Sequence, residues 1–185
     1  MGPKVADDES MPLHEYAHHI LYSSLAFDAL NGNPAWKFSA VPIEYGLADY
    51  FVASFRNEPV IGALAAQQLG ATAGGQLPVK LENNARITAT QLGDNFDGAL
   101  IYRLEPAWGG AFWELRQALG RDIADKSLYE AWRTLVDQDQ ARVAHSFIAN
   151  VAAQLNSAAG KPAVKTLRDI LARRGVNAAD LPNAE

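Results

Sequence analysis

The chain has 185 residues, 49% of them hydrophobic, which is typical of one folded globular domain and excludes a disordered or collagen-like chain. The formal net charge of -5 and the scattered Lys and Arg residues predict no nucleic-acid partner. No run of eighteen apolar residues occurs, so we expect no membrane span. Because cysteine is absent, disulfides and thiolate sites are excluded, and any metal must be held by His and carboxylate side chains.

Helical spacing of the apolar residues predicts a mainly α fold with little or no β structure. In chain order, we predict helices over 10–30, 42–56, 99–119, 127–137, 138–157 and 163–174. The segment 99–119 is expected to be interrupted at Pro106 and at Gly109-Gly110. Ser10 is the expected N-cap of the first helix, and Pro42 is expected to open the second after a partly extended connector at 35–41. The apolar segment 60–69 precedes a glycine-rich stretch, 70–93, that we expect to form a long irregular loop.

The domain organisation reads as a single unit over residues 1–185. There is no internal repeat and no shift in composition that marks a boundary. Residues 1–9 are expected to be flexible. The chain starts without an apolar stretch of the kind that a secretory signal contains, and by itself this leaves the compartment unknown.

The motif that points to chemistry is His14-Glu15-Tyr16-Ala17-His18 in the first predicted helix. Histidines four residues apart lie on one helical face and present two imidazole nitrogens to a single Zn²⁺ ion. Glu15 directly follows the first histidine, beside the open position of such a metal, where it can act as general base and then as acid. The alternative is a helix in which two histidines recur by chance. His19, rotated by about 100° on the helix, is expected on the surface.

A catalytic zinc ion needs a third protein ligand that leaves one coordination position open. In this sequence the candidates are His145, far along the chain, and the carboxylates of Glu44 and Asp49 in the second predicted helix. His145 lies in a segment rich in Ala, Val and Phe, where a structural histidine is the commoner outcome.

Three segments resemble the gluzincin metallopeptidases, in particular the thermolysin and fungalysin-like branch: HEYAHHI, IEYGLADYFVASF and AWGGAFWELRQALG. The similarity spans residues 7–174 and implies a zincin-like active-site helix followed by a C-terminal helical bundle, without the N-terminal β-rich lobe. It implies a zinc metalloendopeptidase that cleaves peptide bonds with a zinc-bound water and Glu15 as base. Glu44 would be the third ligand beside His14 and His18, with Asp49 orienting a ligating histidine. A secreted or periplasmic location is also implied.

Two positions depart from the family pattern. The ligand glutamate of the family lies four residues before its aspartate, whereas Glu44 lies five before Asp49 and Tyr45 occupies the four-before position. Tyr45 or a water molecule is therefore the rival of Glu44 as ligand. Tyr102 aligns with the histidine that stabilises the oxyanion, and Tyr102 or the adjacent Arg103 is expected to take that role, with a packed aromatic as the equal alternative for Tyr102.

The sequence thus favours a zinc-dependent peptidase acting on a peptide or protein substrate. The alternative is a catalytically weak or inactive gluzincin-like module that binds metal or another protein. The helically spaced aromatic residues are expected to form the core: Trp108, Phe112, Trp113, Trp132 and Phe147.

Overall fold

The computed structural model describes residues 7–26, 28, 34–70, 77–87, 101–136, 142–176 and 179, with the backbone alone described at 34–39 and 101–103. Within these ranges the chain is mainly α, as predicted, with one two-stranded sheet. The elements in chain order are α1 (Ser10–Ser23), α2 (Pro34–Arg56), β1 (Val60–Ile61), α3 (Ala63–Leu69), β2 (Val79–Lys80), α4 (Ile101–Leu119), α5 (Arg121–Arg133), α6 (Val143–Ala159) and α7 (Lys161–Arg173).

The second helix starts earlier than predicted. The connector expected at 35–41 is helical, and Pro42 lies inside α2 rather than at its start. Pro34 occupies the first helical position, where a missing N–H costs nothing because the first-turn N–H groups have no partner within the helix. The prediction used the wrong one of two prolines as the start signal. Likewise, α4 runs without a break through Pro106.

The small sheet joins the apolar segment 60–69 to the segment 70–93, which was expected to be irregular. β1 pairs antiparallel with β2, with Val60 opposite Lys80 and Ile61 opposite Val79. The chain leaves β1 through Gly62, whose φ of +73° suits glycine, and enters α3. Of the loop predicted at 70–93, residues 71–76 and 88–93 lie outside the described residues.

A single carboxylate, that of Asp8, serves the starts of two helices. It accepts hydrogen bonds from the N–H and hydroxyl of Ser10 at 3.0 and 2.5 Å, and from the N–H groups of Leu64 and Ala65 at 2.8 and 3.0 Å. Burial alone would raise the pKa of Asp8, but these hydrogen bonds lower it. The capping group of α1 is therefore Asp8 and not Ser10. The expected flexibility of residues 1–9 does not extend to Asp8, which is 4% exposed.

The core is centred on α2 and α4, which cross closely because glycines meet at the crossing. A Cβ atom on Gly46 would lie 2.7 Å from Trp108 Cβ and 2.8 Å from the backbone nitrogen of Gly109. The helices α5, α6 and α7 pack around this pair, and the Trp132 indole N–H donates to the Leu21 carbonyl at 2.9 Å, which ties α5 to α1.

The predicted aromatic core is confirmed. Each of its members is at most 3% exposed: Trp108, Phe112, Trp113, Trp132 and Phe147. Among the described residues, no helix combines the length and apolar character that crossing a bilayer requires.

Candidate metal centre

The two histidines of the sequence motif lie on α1, at its contact with α2. His14 Nδ1 is 2.8 Å from Asp49 Oδ1, and His18 Nδ1 is 2.6 Å from Glu44 Oε1. As the numbers rise along α1 they fall along α2, so the helices run antiparallel at this contact. Four residues of α1 span about 6 Å and five residues of α2 about 7.5 Å at 1.5 Å per residue. The five-residue spacing of Glu44 and Asp49 thus places one carboxylate beside each imidazole.

Both carboxylates are fully buried, at 0% exposure, under histidines whose side chains are 11% and 15% exposed. An ionised carboxylate can accept hydrogen bonds but cannot donate them. Opposite an ionised Asp49 or Glu44, each Nδ1 therefore carries the proton and donates it. This fixes the ring orientation of His14 and His18 and leaves the lone pair of each neutral ring on Nε2.

The two Nε2 atoms face each other at 2.8 Å, with the rings nearly perpendicular and their centroids 4.4 Å apart. Two lone pairs at this distance repel unless a positive charge lies between them. A shared proton or a metal cation removes the repulsion. The buried carboxylates beneath favour either one, because they supply negative charge to both rings.

The pKa values of the two histidines move in opposite directions. Burial, and then the positive charge of His18, lower the pKa of His14. Burial alone would lower the pKa of His18 too, but the hydrogen bond and charge of Glu44 raise it, with help from Glu15 and Asp49. The two directions favour His18 over His14 as the site of a proton that the pair shares.

A second buried acid, Glu105 on α4, lies against Asp49 and extends the polar chain into the core. Burial, and then the charge of Asp49, raise the pKa of Glu105 to about 8. Burial raises the pKa of Asp49 to about 7, although a hydrogen bond from Glu105 opposes this. Asp49 Oδ2 is buried without a hydrogen-bond partner, which the proton of a neutral Glu105 could supply.

Glu105 was not among the residues predicted from the sequence. The signal was present, since Glu105 is a lone acid in the apolar run of α4, but its partner is more than fifty residues away in sequence. The close crossing at Gly46 and Gly109 is what brings Glu105 over Asp49.

Both acids of α2 contact the motif histidines at Nδ1, the nitrogen away from the Nε2 pair. Among the described residues, no three His, Asp or Glu side chains are grouped to hold a metal ion. Glu44 contacts His18 through Nδ1, the nitrogen away from the Nε2 pair, and Asp49 contacts His14 in the same way. The role of Glu44 as ligand stays a prediction, whereas the contact of Asp49 is the one that an orienting residue makes.

The other predicted residues divide into described and undescribed ones. Glu15 is exposed on α1, and its charge raises the pKa of both motif histidines, so it lies near them. His19 is exposed, as predicted, and His145 is half-buried on α6. The side chains of Tyr102 and Arg103, on the first turn of α4, lie outside the described residues.

Tyr45 stands beside the histidine pair. Its ring centroid is 4.4 Å from that of His18 and 6.0 Å from that of His14. Tyr45 is partly exposed, in contrast to the buried Glu44 that precedes it on α2.

Comparison of the chain with protein-family models, with curated proteins and with solved structures found no match. The function is therefore argued from the geometry. Two converging Nε2 atoms, each with a carboxylate on its Nδ1, are a donor set that fits Zn²⁺, which takes imidazole ligands backed by hydrogen-bonded carboxylates.

Proposed function

We propose that this chain is a zinc-dependent metallopeptidase domain that hydrolyses peptide bonds. The observation that carries the proposal is the 2.8 Å approach of His14 Nε2 and His18 Nε2 while both Nδ1 atoms are held by buried carboxylates. Structural histidines usually satisfy one nitrogen and leave the other to solvent. Here both rings are fixed so that their Nε2 atoms meet, and either a shared proton or a metal cation must lie between them.

The metal, held by these two nitrogens and a third ligand, would supply Lewis acidity to the scissile carbonyl and lower the pKa of water. Glu15 is exposed next to His14, where its carboxylate would act as the base for the attacking water and as the acid for the leaving amine. Asp49 and Glu44 keep the imidazoles in the tautomer that leaves Nε2 free to bind. Stabilisation of the oxyanion by Tyr102 or Arg103 stays a prediction from the resemblance.

The test combines metal content with cleavage of an unstructured protein substrate such as casein. The chain is stripped with EDTA, reloaded with Zn²⁺ and assayed as wild type, Glu15→Gln and the matched control Glu9→Gln, an exposed acid just before α1. We expect one zinc ion per chain in all three proteins, and a loss of cleavage by about 10²–10⁴-fold in Glu15→Gln alone. Full cleavage by Glu15→Gln, or cleavage that persists in EDTA, would refute the assignment.

A second candidate is a metal-binding or protein-interaction module without catalysis. It is favoured because, among the described residues, no three His, Asp or Glu side chains are grouped so that they could hold a metal ion. Stoichiometric zinc with no EDTA-sensitive cleavage in the same experiment would select this candidate.

A further inference from the structure

The third ligand of the proposed zinc site can be inferred from the contacts of α2, and this inference rests on the proposed function. A carboxylate bound at Nδ1 is on the far side of the imidazole from a cation at Nε2. Glu44 Oε1 is 2.6 Å from His18 Nδ1, and Asp49 Oδ1 is 2.8 Å from His14 Nδ1. Both buried carboxylates are thus committed to orienting the rings, and neither is placed to complete the shell.

The residue that follows Glu44 on α2 lies on a different side of the helix, since successive residues of a helix are rotated by about 100°. That residue, Tyr45, packs its ring against His18 at 4.4 Å between centroids and reaches His14 at 6.0 Å. It is also more exposed than Glu44, which is 0% exposed. The ring of Tyr45 therefore contacts the imidazoles of both motif histidines.

We propose that Tyr45 is the third protein ligand, so that the shell is His14 Nε2, His18 Nε2 and the phenolate oxygen of Tyr45. Glu44 and Asp49 are then a matched pair of orienting residues, one for each histidine. On coordination the O–H bond of Tyr45 breaks and its proton passes to bulk water, so the metal gains an anionic oxygen ligand in place of a carboxylate. These three ligands would leave a position of a four-coordinate zinc ion for solvent, as a catalytic site requires.

The experiment uses the full chain with two metal probes. Zn²⁺ affinity is measured by competition with a chelator, and Cu²⁺ reports a phenolate ligand through a phenolate-to-copper charge-transfer band in the visible spectrum. The variants are Tyr45→Phe, Tyr45→Glu, Glu44→Gln and the control Tyr16→Phe, which removes an exposed phenol from α1. Circular dichroism checks that each variant is folded.

We expect the charge-transfer band in the wild type, Tyr16→Phe and Glu44→Gln, and its loss in Tyr45→Phe and Tyr45→Glu. Zinc affinity should fall in Glu44→Gln by the roughly 10–100-fold that loss of an orienting partner costs, and by more than that in Tyr45→Phe. Tyr45→Glu should bind zinc better than Tyr45→Phe, because it returns an oxygen ligand to the same position. This recovery keeps the test valid even if the phenylalanine variant folds poorly.

The possible outcomes distinguish a failure of the Tyr45 ligand assignment from a failure of the proposed peptidase function. Unchanged zinc affinity in Tyr45→Phe, a band that survives there, or a greater loss of affinity in Glu44→Gln would overturn the role of Tyr45 while leaving a zinc site in place. A wild-type chain that binds no zinc would overturn both proposals. If the band and affinities follow Tyr45 but casein is not cleaved, the ligand assignment holds and the peptidase function fails.

Discussion

Replacement of Glu105 by glutamine tests the buried acid pair under the histidines. In the folded chain the pKa of Glu105 is raised to about 8, against an ordinary value of 4.5. Glutamine has the same shape as the protonated acid, and its amide N–H donates to Asp49 as the acid O–H does. It does not titrate, so the variant keeps the hydrogen bond and removes only the proton linkage.

The direction in which stability changes with pH depends on whether the folded or the unfolded chain binds the proton of Glu105. Between pH 4.5 and about 8, the folded protein keeps a proton on Glu105 that the unfolded chain has lost. The stabilisation of the protonated form is therefore fully present below pH 4.5 and is lost as the pH rises through 8. Each retained proton lowers the free energy of unfolding by about 1.4 kcal/mol per pH unit. From pH 5 to pH 7 the wild type should lose about 3 kcal/mol relative to Glu105→Gln.

Urea unfolding of the metal-free proteins at pH 5, 6 and 7, with EDTA present, measures this difference. The titrations of His14, His18 and Asp49 occur in both proteins and cancel to first order. Glu82→Gln, at an exposed carboxylate, is the control and should change relative to the wild type by no more than about 0.5 kcal/mol. A difference between the wild type and Glu105→Gln that stays constant from pH 5 to pH 7 would refute the buried pair.

Two further predictions concern the packing that positions the site. Gly46→Ala should lower the free energy of unfolding by about 1–3 kcal/mol, because the new Cβ would lie 2.7 Å from Trp108 Cβ; an unchanged urea midpoint would contradict this close crossing. Arg174 is 3% exposed and donates to Glu114 Oε1 at 2.6 Å and to the Asn83 carbonyl at 3.0 Å. Arg174→Met should lower the free energy of unfolding by about 3 kcal/mol, the lower end for a broken buried pair because Glu114 is 36% exposed. Arg174→Lys should recover only part of that stability. Thermal unfolding followed by circular dichroism measures both changes.

The sequence was sufficient to predict the fold class, but not the residues at which the helices begin and end. Helical periodicity reports which side of a segment is buried, so it predicted a mainly α chain and the aromatic core correctly. Local start signals were ambiguous, since Pro34 and Pro42 each fit a helix start and only the first is one. Asp8 took the capping role expected of Ser10 because α3, more than fifty residues later, presents its free N–H groups to the same carboxylate.

The sequence likewise predicted some features of the candidate metal centre and not others. The spacing of His14 and His18 is enough to place two imidazoles on one helical face, because the period of a helix is a local property. That spacing also places Glu15 beside them. What the sequence could not determine is which ring nitrogen each acid of α2 contacts, because this depends on the register between two helices.

The sequence by itself determined a cysteine-free, mainly helical chain with a pair of histidines four residues apart, since composition and helical period require no knowledge of distant contacts. The tertiary structure decided the rest. The antiparallel contact of α1 and α2 places Glu44 and Asp49 on the Nδ1 atoms and Tyr45 beside the rings. The crossing of α2 and α4 buries Glu105 against Asp49, and burial is what gives these acids their raised pKa values.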